Sequence, residues 1–391
     1  MEKVELKNLI EKPISGEWGS EGTTIPVIRT TNFSNEGRLN LKDIVLRNID
    51  SKKVENKKLQ KGDIIIEKSG GSPTQPVGRV VYFDLEGTYL CNNFTSILRP
   101  KKDKVSPKYL LYQLFTSHLF GFTNNYQNKT TGIINLKLER YVNELEIPLP
   151  SLPTQQKIAE ILDTADQLRQ YNKQLIEKYD ALTQSLFLDM FGDPVHNSKK
   201  WQEVKFSDVG KLDRGKSKHR PRNAPELLNG PYPLIQTGDI ANSGGYINNY
   251  KSTYSEFGLK QSKLWTKGTL CITIAANIAK TGILTFDACF PDSVVGFIPN
   301  EKTNNIYVQN WMSFLQAMIE EKAPMAAQKN INLAILKDLE FMMPPIELQT
   351  QFAERVQMIE AQKQQAQEAL AKSEDLFQSL LQRAFNGTLC P

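Results

Sequence analysis

Residues Gly210–Ser217 read GKLDRGKS, a literal match to the GxxxxGK[ST] pattern of phosphate-binding loops. That chemistry needs a strand before the loop and a helix directly after it, so that the first helical N–H groups point at phosphate. Pro221 and Pro225 stand where the helix would run, and no apolar strand ending in a magnesium-binding Asp follows. The stretch instead predicts a basic loop. Arg214, Lys216, Lys218, His219, Arg220 and Arg222 are six basic side chains within nine residues, with no acid among them after Asp213. Such a cluster suits the phosphates of a nucleic acid.

Other residues could read bases. Arg29, Thr31 and Asn32 follow one β-type run, and Gln236 and Thr237 follow its counterpart. Lys68 and Ser69 open the Gly-rich stretch KSGGS, where the backbone could approach a ligand closely, and Arg79 lies just beyond it. Lys129 and Lys329 sit in the polar stretches QNKTT and QKN, each just ahead of an Ile-Asn-Leu triplet. Asn and Gln can pair bidentately with adenine, Arg and Lys with guanine. Polar loop residues that merely cap backbone, or plain turns in the Gly-rich case, would look the same.

Catalytic patterns are missing. The histidines, His118, His196 and His219, form no HxxxH pair and lie near no Cys at ligand spacing. Cys91, Cys271, Cys289 and Cys390 are scattered without a CxxC pair, as expected of reduced thiols in a cytosolic protein. There is no GxSxG, and Met343-Pro344-Pro345-Ile346 is not the (N/D/S)PP(Y/F) tetrapeptide of a DNA methyltransferase. The expectation is a non-catalytic chain without a metal site.

These residues need a frame, and charge outlines it. Residues 1–150 and 196–345 each carry a net +5, whereas 151–195 carry −3 and 346–391 carry −2. Two basic units therefore alternate with two acidic ones. The basic units hold short β-type runs such as IPVIRT, DIIIEK and GRVVYF, then YPLIQT and VVGFIP, separated by turn residues. The acidic segments read as helices of about 38 residues, roughly 57 Å at 1.5 Å per residue. In the first, Thr154 is the expected N-cap and Gly192 the stop. Its apolar spacing of three and four predicts a coiled-coil seam through Ile158, Ile161, Leu168, Asn172, Leu175 and Leu182. Phe352, Ile359 and Leu380 mark the matching stripe of the second. Two such helices bury their seams most simply against each other, antiparallel.

The chain also repeats itself. Pro150, Gln155, Ala159 and Glu160 recur as Pro344, Gln349, Ala353 and Glu354, every pair 194 residues apart. The basic units match with drifting offsets: Pro26–Thr30 with Pro233–Thr237 at 207, Lys61-Gly62 with Lys267-Gly268 at 206. A fixed helical frame thus carries two variants of one globular unit. The fold class expected is mixed α/β: unit 1–150, helix 151–195, unit 196–345, helix 346–391.

With PLPSLPTQQKIAEIL, its copy PPIELQTQFAERV, the exit LFLDMFGDP and the tandem order in view, the chain resembles the specificity subunits of type I restriction–modification enzymes over essentially its whole length. The resemblance implies two target recognition domains, each reading one half of a split, asymmetric site in double-stranded DNA. It implies long helices that space them and dock two methyltransferase subunits, with restriction (motor) subunits completing the enzyme. S-adenosylmethionine, ATP and magnesium are then expected in those partners and no cofactor in this chain. The first unit lacks a basic loop like Arg214–Arg222, a departure that bears on how equally the halves grip DNA. Two alternatives remain open: the reader of a type IIB-like system, and a coiled-coil scaffold without DNA function. No apolar run approaches the roughly 18–20 residues of a membrane span, and the polar N-terminus lacks a signal core; the expected location is cytoplasmic.

Overall fold

The computed structural model describes residues 2–130, 133–275, 278–322 and 331–389, without side chains at 129–130 and 317–322. The chain forms two compact units, one from Met1–Lys173 with Glu368–Pro391, the other from Gln174–Gln367. Four long helices are labelled α1 (Pro107–Leu119), α2 (Leu152–Phe191), α3 (Asn305–Lys322) and α4 (Ile346–Phe385). The units divide α2 and α4 between them, so each unit holds part of both.

In the first unit an antiparallel sheet runs in the order Ile14–Ser15, Thr95–Leu98, Ile64–Glu67, Val80–Tyr82. Its centre is IIIE, and strand alternation sends Ile64 and Ile66 to one core with α1 and Ile65 to another with Ile28, Val81 and Ile97. A second sheet runs Val45–Asn48, Ser20–Ile28, Leu90–Cys91, and its last pair is parallel. A third joins Gln127–Thr130, Ile133–Leu136 and Ser69–Gly71. The β-type runs expected in this unit, IPVIRT, DIIIEK and GRVVYF, each contribute to these strands.

The second unit repeats the plan. Gly210–Arg214, Val294–Pro299, Leu270–Thr273 and Thr281–Leu284 follow the same order, extended by Tyr246–Ile247. Ser252–Tyr254, Leu228–Leu234 and Ala288–Cys289 form the second sheet, again with a parallel last pair, and Leu264–Trp265 adds an edge. In each unit a short antiparallel pair ties start to end: Lys3–Glu5 with Glu146–Pro148, and Glu203–Lys205 with Glu340–Met342.

The helices differ from expectation at the cap of α2 and along its apolar stripe. Helix α2 begins at Leu152, where the Ser151 hydroxyl, not Thr154, takes the cap position and accepts the Thr154 N–H at 3.4 Å. It ends at Phe191, and Gly192 adopts the left-handed φ of 80° that the stop requires. Within each unit the α2 and α4 segments run antiparallel. In the first, Asn172 Nδ2 donates to Ser373 Oγ at 3.3 Å and Arg169 lies 4.4 Å over the Phe377 ring. In the second, Lys363 meets Asp180 at 2.5 Å, and Phe187 and Phe191 pack on Phe352. The buried face of α2 thus runs through Leu162, Ala165, Asp166, Arg169, Thr183 and Phe187. Leu168, Leu175 and Leu182, expected on the seam, are 47%, 39% and 49% exposed. The largest aliphatic side chains misled the heptad frame, because the buried face mixes apolar residues such as Leu162 and Phe187 with polar ones such as Asp166, Arg169 and Thr183. Ile158 and Phe352 are buried, each in its own unit's core, while Ile161, Asn172, Ile359 and Leu380 are half-buried.

Candidate nucleic-acid interface

Each of the two candidate loops follows the strand that runs parallel to its neighbour. After Ile28 the chain turns so that the Arg29 N–H donates to Asn32 Oδ1 at 2.9 Å. After Ile235 the Gln236 N–H donates to Asp239 Oδ2, also at 2.9 Å. The same carboxylate- or amide-closed turn therefore stands at the same place in both units. It corrects the expectation for Asn32. Its side chain is 2% exposed and donates to Asn40 O as well, so it organises the loop and is not free to meet a base. Thr31 is exposed at the tip, Gln236 is exposed, and Thr237 is half-buried. Arg29 is half-buried and donates to the Asp43 carbonyl at 2.7 Å.

Arg79 is also corrected. It is 9% exposed and forms a two-point pair with Glu67, at 2.8 and 3.0 Å. Its remaining N–H groups reach the Thr30 carbonyl at 3.2 Å and the Phe33 carbonyl at 3.3 Å. A buried arginine is affordable only with such complete pairing, and here it shapes the 30–33 loop from beneath.

Lys68 and Ser69 leave the central strand beside Gly70, whose φ of +94° suits only glycine. Lys68 is half-buried, donates to Ser15 Oγ at 2.5 Å, and is held below the usual lysine range chiefly by burial. Ser69 Oγ meets the Asn135 side chain. The side chain of Lys129 and the whole of Lys329 lie outside the described residues.

The GKLDRGKS stretch makes no phosphate loop. Gly210–Arg214 is a strand, Lys216 gives its N–H to Phe290 O at 3.2 Å, and the next helical turn is only Pro225–Leu227. Among the described residues, no helix starts directly after Lys216 and Ser217. The basic loop is not unopposed, however. Asp292, far away in sequence, pairs with Arg222 at 2.7 Å and Arg220 at 3.9 Å, and its carbonyl accepts from Arg214 at 2.9 Å. His219 stands 3.6 Å from Glu226. Lys216 and Lys218 are exposed and, among the described residues, stand in no ion pair, which leaves them the freest cations of the loop. Sequence reasoning missed Asp292 because nothing local marks it.

The first unit has a different cation source at this corner. The helix Ser51–Lys57 brings Lys53 and Lys57 to Glu17, at 3.2 and 2.8 Å. Those bonds, led by the one from Lys57, hold the Glu17 carboxyl below the usual range.

The duplicated helix start also finds its use. Gln155 is 1% exposed; its oxygen accepts the Ser106 N–H at 2.8 Å and its nitrogen donates to Pro150 O at 2.8 Å. Gln349 is fully buried; its oxygen accepts the Asn304 N–H at 3.1 Å and its nitrogen donates to Pro344 O at 2.9 Å. Each glutamine clips its long helix to the loop that starts α1 or α3. Among the described residues there is no group of three or more His, Cys, Asp or Glu that could hold a metal, and no helix long and apolar enough to cross a membrane. Cys91, Cys271 and Cys289 are buried free thiols pushed up by burial, Cys91 and Cys289 to about 11; Cys390 lies outside the described residues.

Comparisons with known proteins agree with this architecture. The family model for the type I restriction modification DNA specificity domain matches residues 1–179 and again 198–371. The chain is 24% identical over 396 residues to the type I restriction enzyme EcoKI specificity subunit of Escherichia coli, covering 93% of this chain and 82% of that one. In fold it is similar to the type I restriction-modification S subunit from M. genitalium, with a TM-score of 0.60, 15% identity and 98% and 96% of the two chains covered. It is similar also to a chain from a structural study of complex assembly and conformational transition of the type I R-M system, at TM-score 0.58 and 16% identity, with 99% and 98% covered.

Proposed function

The chain belongs to the type I restriction–modification DNA specificity family, and from that premise we propose that it reads a bipartite, asymmetric site in double-stranded DNA, one half with each unit. The observation that carries this reading is the duplication of the loop-building hydrogen bonds: Arg29 with Asn32 in one unit, Gln236 with Asp239 in the other. The turn is kept while its exposed residues differ, as two readers of different half-sites require. Thr31, Lys68 and Ser69 in the first unit, and Gln236, Lys216, Lys218, Arg214, Arg220 and Arg222 in the second, supply contacts of two kinds. Cations hold phosphates, and short polar side chains read base edges.

The chain itself carries out no chemistry in this reading. Two methyltransferase subunits bring S-adenosylmethionine and take the target base into their own pockets; restriction subunits bring ATP and magnesium. The outward leucines of α2 support a protein-docking role for that helix, since apolar groups in a row on a charged helix gain most by covering. Sequencing the host methylome with and without the gene tests the reading. A split methylated motif should vanish with the gene. An unchanged methylome would reject it.

A further inference from the structure

The two units share one corner, and its occupants differ. Gly16 donates its N–H to Thr95 O at 3.2 Å, and Gly215 donates to Val294 O at 2.8 Å. A Cβ on Gly16 would sit 2.0 Å from Asn92 O, and one on Gly215 2.3 Å from Pro291 O, so both places demand glycine. The adjoining turns close alike: Thr95 N–H to Asn92 O, and Val294 N–H to Pro291 O, both at 3.0 Å. Lys68 N–H then bonds Phe94 O at 2.9 Å, as Ile274 N–H bonds Ser293 O at 3.0 Å. Asn93 therefore stands where Asp292 does, and Phe94 where Ser293 does.

In the second unit this corner gathers the cationic loop through Asp292. In the first it presents a phenylalanine ring that is 46% exposed at the tip of a turn. The Phe94 backbone is fixed, since its carbonyl accepts from Ser69 at 3.2 Å as well as from Lys68. The ring lies near Gly70, where a Cβ would stand 3.9 Å from its Cδ1. A tied backbone, an uncovered ring and a glycine next to it form a reading tip.

We propose that Phe94 is a specificity-determining residue whose ring packs against a thymine methyl group in the major groove of the first half-site. The proposal rests on the DNA-reading function above and assigns it a contact. The thymine 5-methyl is the base-edge group that an apolar ring can recognise. The two units then read by different means at one corner: an apolar contact in the first, a braced cationic loop in the second.

The test uses the full chain with its methyltransferase partner and duplexes bearing the methylated motif. Each thymine is replaced in turn by uracil, which removes only the methyl group. One uracil in one half-site should weaken binding of the natural chain several-fold. Phe94→Ala should lower affinity for the natural site about tenfold, abolish that uracil penalty, and leave the salt dependence unchanged, because no phosphate contact is lost. Phe94→Leu should keep part of both. A Phe94→Ala chain that still discriminates uracil as the natural one does, or a half-site without thymine, would overturn the assignment. A natural chain with no preference among duplexes would overturn the DNA-reading function itself, and the assignment with it.

Discussion

The Gln155 side-chain oxygen accepts the Ser106 backbone N–H at 2.8 Å, and through it a 40-residue helix is fastened to the loop that starts α1. Gln349 does the same for Asn304 and accepts in addition from the Thr303 hydroxyl at 2.8 Å. Leucine at either position would fill the space and leave buried donors and acceptors without partners. Gln155→Leu or Gln349→Leu should destabilise the chain by about 2–3 kcal/mol, read as a shift in urea midpoint. An unchanged midpoint would show that water replaces the clip.

The outward leucines of α2 separate folding from assembly. Leu175→Gln and Leu182→Gln should change stability by no more than about 0.5 kcal/mol, since surface substitutions rarely do more. Both should weaken capture of the methyltransferase subunit. Phe352→Ala, in the buried aromatic cluster, should by contrast cost about 3–5 kcal/mol. A Leu182→Gln chain that unfolds readily would return that leucine to an internal contact.

Lys216 distinguishes a phosphate-backbone contact from a nucleotide site. Lys216→Ala should weaken binding to all duplexes about equally and lower the slope of log affinity against log salt by about 0.9, the share of one phosphate contact. Sequence preference should survive. The isolated chain should bind no ATP before or after the change. ATP binding that Lys216→Ala removes would revive the phosphate-loop reading.

Burial, with Arg79 nearby, holds His118 down to about 4, from 6.5 for a free histidine. The unfolded chain therefore binds a proton between those values that the folded chain refuses. Stability is full above pH 6.5 and falls as pH drops toward 4. His118→Asn should flatten the stability profile in that window by up to one proton, measured from urea midpoints at several pH values. A profile identical to that of the natural chain would mean His118 titrates freely.

Much of this was legible in the sequence because it is local. The strands announced themselves as IIIE, VVY and VVGFIP between turn residues, and the first long helix as a run ending at Gly192. The repeat at Gln155 and Gln349 was visible, although its reason, a clip to distant backbone, was not. The seam was misjudged because hydrophobic spacing identifies an apolar stripe but not whether it faces inward. Leu168, Leu175 and Leu182 form such a stripe on the outside, while Asp166, Arg169 and Asn172 pair inside. Arg79 and Asn32 looked like surface groups because their partners, Glu67 and the Asn40 carbonyl, meet them only through the fold. Asp292 went unnoticed for the same reason, being 70 residues from Arg222.

The central claim is that each unit reads its own half of a split site. Residues 196–345 can be exchanged for the equivalent unit of a relative, and the methylome of a host carrying the hybrid sequenced beside one carrying the natural chain. The account predicts a split motif in both hosts, with one half unchanged and the other replaced. A motif altered in both halves, or one without a split, would contradict it.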